Sequence, residues 1–361
     1  MKKNSINSLQ VASLIVFLII SMSLGMGIFN AVEVAKIDSY IAIILGTFIG
    51  LIPISIVLYI ANYKPNLNII EKINDLFGKY VGFIINFIIA SIIMLVAITT
   101  LFSVSNFIVS QFLSNTPIIY IGIMFAIVCI LALRKGIETI TRTSLILASI
   151  TILFFIFLAT GLITEFKTDN LKPILEFGIN KPLFAALTTI CINVLPIFTI
   201  LIIPKNDIID KKKYNKTIII SYLFSALIII LMVTLTMGVL GKYLAEIYQY
   251  PEYIVLKKIT VFDFIDRIEN LICVLWIMTT FISSTLCFYY ITNSIKKEDN
   301  PKKLSYSVVG IAIGLSLYLF KNNTTFNNYI NNIYPFILAF MFILFIIVAI
   351  AIFIKNRKKT T

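Results

Sequence analysis

Long, unbroken apolar runs separated by short polar connections set the pattern of this chain. Ten stretches reach or approach the ~20 apolar residues that a helix needs to cross a bilayer core: residues 11–29, 40–60, 81–109, 117–133, 143–163, 183–203, 217–240, 271–291, 304–320 and 333–354. A membrane barrel would show ~10-residue segments alternating apolar and polar, whereas these runs are continuously apolar. The longest remaining connections, 61–80, 164–182 and 241–270, are too short to fold as separate domains. The pattern therefore predicts an all-α integral membrane protein with ten transmembrane helices in a single membrane domain, 1–361.

Ten spans divide into five and five. Because five is odd, the second set starts on the opposite face and is inverted relative to the first, with repeats over about 8–163 and 183–354. Inverted-repeat transporters interrupt the first helix of each half near the midplane, so spans 1 and 6 are the places to look for helix breakers. Span 1 carries Ser21, Ser23, Gly25 and Gly27 within nine residues, and glycine weakens a helix interior. Span 6 carries Asn193 and Pro196, the latter lacking an amide and clashing with the preceding turn. Backbone groups freed at this depth must line a cavity or be buried in protein, where a half-helix N-terminus suits a carboxylate. The competing reading is a packing glycine and a simple proline kink; breakers in both corresponding spans favour two discontinuous helices.

Hydroxyls at i, i+4 recur in span 3 (Thr99, Ser103) and span 8 (Thr280, Ser284, with Ser283 beside it). They are candidate ligand contacts if these spans surround the broken ones, although such hydroxyls also satisfy their own i−4 carbonyls. Residues 66–79, with Leu67, Ile70, Ile73 and Phe77 at helical spacing, predict an amphipathic helix on the membrane surface. Residues 251–270, with Val255, Ile259, Phe262, Ile265 and Ile268 on one face, predict a helix on the other side that can cap the cavity. Plain interfacial connectors are the alternative for both.

Composition agrees with the membrane reading: of 361 residues 59% are apolar and 13% charged, about half the charge of a soluble domain. The net charge of +13 follows from topology. With the N-terminus in the cytoplasm, 21 of the 30 basic residues fall on cytoplasmic segments, so both termini are expected inside. The expected partner of that charge is anionic membrane lipid rather than nucleic acid. Lys2 and Lys3 precede a 19-residue apolar run with no A-x-A-like site, which reads as a first span rather than a cleaved leader. Cys129, Cys191, Cys273 and Cys287 all lie within spans and lack metal-ligand spacing, so they are expected to pack as small apolar residues. The chain has no histidine and no acid near the middle of any span, which removes the usual proton relay. No nucleophile–base pair, phosphate loop or metal cluster is present; no catalytic residue, metal site or cofactor is expected.

The segment Gly136-Ile137-Glu138-Thr139-Ile140-Thr141-Arg142, placed at the cytoplasmic end of span 4, resembles the G-I-E-T-I-x-R signature of the spore germination permease family. Tyr250-Pro251, followed by Ile259, Phe264, Arg267, Glu269 and Trp276, resembles that family's external loop leading to span 8. Gln10, Asp38 and Tyr334-Pro335 fit as well, and the likeness runs over essentially the whole chain. One departure is Asn30, where the family often carries a proline shortly after the span 1 break. Glu138 and Arg142 are spaced as a local i, i+4 pair, whereas Arg267 and Glu269 are two apart and need separate partners. Gly136, Glu138, Arg142, Tyr250, Pro251, Arg267 and Glu269 are read as structural or subunit-contact residues.

The resemblance implies the B subunit of an endospore germinant receptor, related to amino acid–polyamine–organocation transporters and sitting in the spore inner membrane. A small germinant, of amino acid type, would bind between the broken helices, and the signal would pass to partner A and C subunits. A working secondary transporter and a non-binding assembly scaffold are the alternative functions.

Overall fold

The computed structural model describes residues 6–258, 269–295 and 301–360. Among these the protein is helical, with one isolated parallel bridge between Ile6 and Ile208. α1 (Ser8–Met22) is followed by a wide turn at Ser23–Gly27 and then α2 (Ile28–Ala35). A tight turn at Lys36–Asp38 leads to α3 (Ser39–Ile49) and α4 (Leu51–Asn62). Next come α5 (Ile69–Gln111), α6 (Ile118–Lys135), α7 (Ile137–Ile163) and α8 (Asn180–Asn193), the last continued by a 3-10 segment at Leu195–Ile202. α9 (Tyr214–Ile247), α10 (Pro251–Ile254), α11 (Asn270–Ser294), α12 (Pro301–Leu319), α13 (Asn323–Asn332) and α14 (Tyr334–Thr360) complete the chain.

Among the described residues eight stretches are long and apolar enough to cross a bilayer, and nine if α12 and α13 count as one bent span. The first, Ser8–Asn62, has 55 residues. At 1.5 Å per residue it runs ~80 Å, more than twice the ~30 Å of a hydrocarbon core. It changes direction at Lys36–Asp38, where Lys36 takes φ 56°.

Local sequence explains the ends and bends. Asn7 and Gln10 form a capping box on α1, and Asn68 and Glu71 do the same on α5, so Gln10 lies inside the first turn rather than ahead of the helix. α5 bends at Gly78 (φ 78°, ψ 179°), which separates the amphipathic turns 69–77 from the apolar remainder. Gly136 (φ 85°, ψ 177°) is the turn between α6 and α7. The motif from Ile137 to Arg142 thus opens the fifth apolar run rather than closing the fourth. Glu138 sits in the first turn of α7 and is ion-paired with Arg142.

Burial sorts the helices into a centre and a periphery. The most apolar window of Asn180–Ile202 is 89% buried, against 22% for Ile137–Ile163, so the helix carrying Pro196 is central and α7 faces outward. α1 packs on α7, α9 and α11, and α2 on α8. Large apolar side chains such as Phe83, Phe87, Leu153 and Phe353 stay exposed, as a lipid-facing surface requires. All four cysteines are free; Cys129 and Cys287 are buried, Cys191 and Cys273 partly so.

Candidate functional site

The break in the first helix is a real interruption of the backbone. Leu24 is extended (φ −66°, ψ 127°) and Gly25 left-handed (φ 69°, ψ −7°), a conformation open to glycine at little cost. A Cβ on Gly25 would overlap the edge of the Trp276 ring, and one on Gly27 would overlap the Asn193 side chain. The two glycines therefore allow close approach as well as the turn.

The second interruption is milder. α8 ends at Asn193, and the chain continues as a 3-10 helix in which Ile197 N donates to Val194 O at 3.0 Å. Pro196 has no amide to continue the α pattern, so the helix narrows and goes on instead of unwinding. Asn193 faces Gly27, which brings the two interruptions together, and its Oδ1 is buried without a partner.

Above Gly25 lies an aromatic lid. Trp276 packs on Phe107, with ring centroids 4.4 Å apart, and on Tyr250 at 5.5 Å. Tyr250 also meets Phe107 at 5.0 Å, and its hydroxyl accepts from Asn106 Nδ2 at 2.8 Å. Pro251 starts α10, and Glu252 follows it into the protein. Its Oε1 accepts from the Gly25 amide at 2.6 Å, while Oε2 is buried without a partner. Glu252 is 1% exposed, and burial pushes its carboxyl from the usual carboxylate range up to about 7. Two small cavities flank this arrangement. One of about 40 Å³ lies beside Ser23 and Leu24, and one of about 30 Å³ beside Asn193 and Thr189. Each is far below the ~300 Å³ of an ordinary ligand pocket, so the break is closed around its own side chains.

The hydroxyls distribute unevenly. Ser21 and Ser23 donate back to Leu18 O and Ile19 O, and Thr99 to Leu95 O. Ser283 donates to Thr280 O. Ser284 meets Thr100, not Thr99, at 3.0 Å across the α5–α11 contact. Ser103 Oγ and Thr280 Oγ1 are buried without partners. Asn30 is wholly buried. Its Oδ1 accepts from Thr188 at 2.7 Å and its Nδ2 donates to Asn331 at 3.0 Å, joining α2, α8 and α13. Glu269 lies at the start of α11. Arg267, with Ile259, Phe262, Phe264, Ile265 and Ile268, lies outside the described residues, so the helix expected over 251–270 is described only for Pro251–Lys258.

Sequence reading missed Glu252, Phe107, Asn106 and Thr100. An acid in a connection ordinarily reads as solvated; the available signal was its place directly after Tyr250-Pro251, in the first turn of a proline-started helix.

The sequence profile of the family described as spore germination protein matches residues 8–327. Spore germination protein KB of Bacillus subtilis (strain 168) is 26% identical over 336 residues, covering 89% of this chain and 88% of that protein. Spore germination protein A2 of the same organism is 25% identical over 330 residues, 90% and 88% of the two chains. Among solved structures, a nucleobase–cation symport-1 family transporter, closed with bromovinylhydantoin bound, superimposes with a TM-score of 0.65 at 14% identity, covering 91% of this chain and 75% of that one. A mutant manganese transporter of Eremococcus coleocola gives 0.66 at 13% identity, covering 95% and 78%. At these identities the structures share the fold alone. The chain is an integral membrane protein built on a transporter fold, and it belongs to the spore germination protein family.

Proposed function

We propose that this chain is the membrane subunit of a spore nutrient germinant receptor. A small germinant, of amino acid type, binds between the two interruptions and biases the conformation that partner A and C subunits read. The observation that carries this reading is the meeting of the breaks: Gly25 and Gly27 of the first helix lie against Trp276 and Asn193, in the most buried part of the fold. Ser21, Ser23, Gly25, Gly27, Asn193 and Pro196 form the core of the site. Thr99, Ser103, Thr280, Ser283 and Ser284 flank it, and the unpartnered hydroxyls of Ser103 and Thr280 are the ones free to accept a ligand. The ten crossings form two inverted repeats of five, 8–163 and 183–354, in one domain, with both termini cytoplasmic in the spore inner membrane. A ligand that bound every conformation equally would shift nothing; germinant must therefore prefer one arrangement of the breaks.

Gly25→Leu is the test. The larger side chain must displace the Trp276 ring and hold a strained backbone, so spores carrying it are expected to lose germinant response at unchanged protein level. Normal germination would overturn the site.

The transporter fold of the structural neighbours favours a second reading, a working secondary transporter with the same site. Reconstitution in sealed liposomes separates the two. Labelled amino acid that accumulates and is lost when an ion gradient is dissipated marks transport; saturation near one ligand per protein marks a receptor.

A further inference from the structure

We propose that the amide of Gly25 is a carboxylate seat, that Glu252 fills it in the closed protein, and that a ligand carrying its own carboxylate binds by displacing Glu252. This rests on the reading of the break as a ligand site and names the chemical class that the site takes.

The geometry of the seat comes from the backbone. The turn at Leu24 and Gly25 takes the Gly25 amide out of the helical ladder, and α2 begins three residues later. The occupant is a carboxylate already: Glu252 Oε1 accepts from Gly25 N at 2.6 Å. The fit is incomplete. Glu252 Oε2 is buried without a partner, and Glu252 makes no ion pair among the described residues. A carboxyl group sealed from water with one oxygen unpartnered is costly to keep there, and more so when ionised. A free ligand with a carboxylate and a nearby ammonium can satisfy both oxygens and supply its own countercharge.

Displacement has a mechanical consequence. Glu252 is joined through Pro251 to Tyr250, whose ring lies on Trp276 and Phe107 and whose hydroxyl is held by Asn106. Withdrawing the Glu252 carboxylate pulls on α10 and on the lid over Gly25. An amine without a carboxylate offers the seat no acceptor and leaves the lid in place. The ligand's carboxylate is thus the part that frees α10 and Tyr250 from the break.

The test is chemical rescue of purified full-length protein. Glu252→Ala removes the atoms of one acetate ion and empties the seat. Sodium acetate is expected to raise the unfolding midpoint of Glu252→Ala saturably, with no such effect of chloride at equal ionic strength and none on wild type. An acetate effect no larger than that of chloride would overturn the proposal. Should Glu252→Ala fail to fold, Glu252→Gln keeps an oxygen for the Gly25 amide but not the charge. Acetate is then expected to raise the unfolding midpoint of Glu252→Gln, whose uncharged side chain holds the Gly25 amide less strongly than a carboxylate does, and to leave wild type unmoved; equal responses of the two proteins would overturn the seat. Binding of a panel of labelled amino acids to the same proteins tests the parent reading separately. Rescue by acetate with no amino acid bound by any variant leaves the seat and removes the germinant. Amino acid binding of equal affinity to wild type and variants, without rescue, leaves the germinant and removes the seat.

Discussion

A buried carboxylate keeps its proton to higher pH than one in water when the penalty that burial puts on the charged form outweighs the hydrogen bonds it accepts. Glu252, on the connection between α9 and α11, is in that position, and its carboxyl is raised from 4.5 to about 7. The folded protein therefore holds this proton more tightly than the unfolded chain. Between the two values the folded state binds more protons, so stability falls as pH rises from about 4.5 to about 7 and is flat above. The span corresponds to a loss on the order of 3 kcal/mol at most. Tyr250 is the titratable neighbour, and burial raises its phenol as well, so it stays neutral throughout this window. A pH series of thermal unfolding is expected to show the decline in wild type and a flatter profile in Glu252→Gln. Equal slopes would mean that Glu252 does not titrate there. Asn30 uses its side-chain amide to join three helices, accepting from Thr188 and donating to Asn331.

At the scale of elements, the Gly136 motif is a helix start. Gly136 takes a conformation essentially restricted to glycine, and a Cβ there would meet nothing within 4 Å. Gly136→Ala is thus expected to destabilise through the backbone alone, by about 1–3 kcal/mol, with a lower unfolding midpoint and unchanged ligand affinity. A changed affinity would give the motif a role in the site. The apolar runs and the break at Gly25 were legible because both follow from composition at fixed positions. The bend at Gly78 and the start of α7 at Gly136 were less so, since glycine marks a turn without saying which run owns the residues after it. α13 was not legible: an asparagine-rich turn after α12 reads as a connection until Asn331 and Asn327 find Asn30 and Gln249. The pairing of Ser284 with Thr100 instead of Thr99 has the same origin. Spacing fixes the faces of one helix but not which faces of two helices meet.

At the scale of the whole molecule, contacts among the described residues tie the helices together on two sides. On the side of the N-terminus, Ile209 N donates to Ile6 O at 2.9 Å and Asn206 N to Pro65 O at 2.8 Å. Nearby, Asp75 gathers Lys64 at 2.6 Å, Lys355 at 3.0 Å and the Tyr63 hydroxyl at 3.1 Å, tying α5 to the end of α14. On the other side, Glu252 closes on Gly25, and Lys36 pairs with Glu246 at 3.1 Å. Asp75→Asn keeps the shape and removes the charge that organises its cluster. It is expected to cost about 1 kcal/mol, the range of partly exposed ion pairs, and to speed amide exchange at the end of α14 while leaving the Glu252 side unchanged. Exchange that rises at both ends together would mean that the two closures are coupled.

Trp276 is the only tryptophan in the chain, and its ring covers Gly25 beneath Tyr250 and Phe107. Indole emission responds to the polarity around the ring, so the protein carries an optical gauge at the point where its first helix is interrupted. Any event that lifts the lid and admits water there becomes a red shift from a single known residue, readable in detergent or bilayer without an added label.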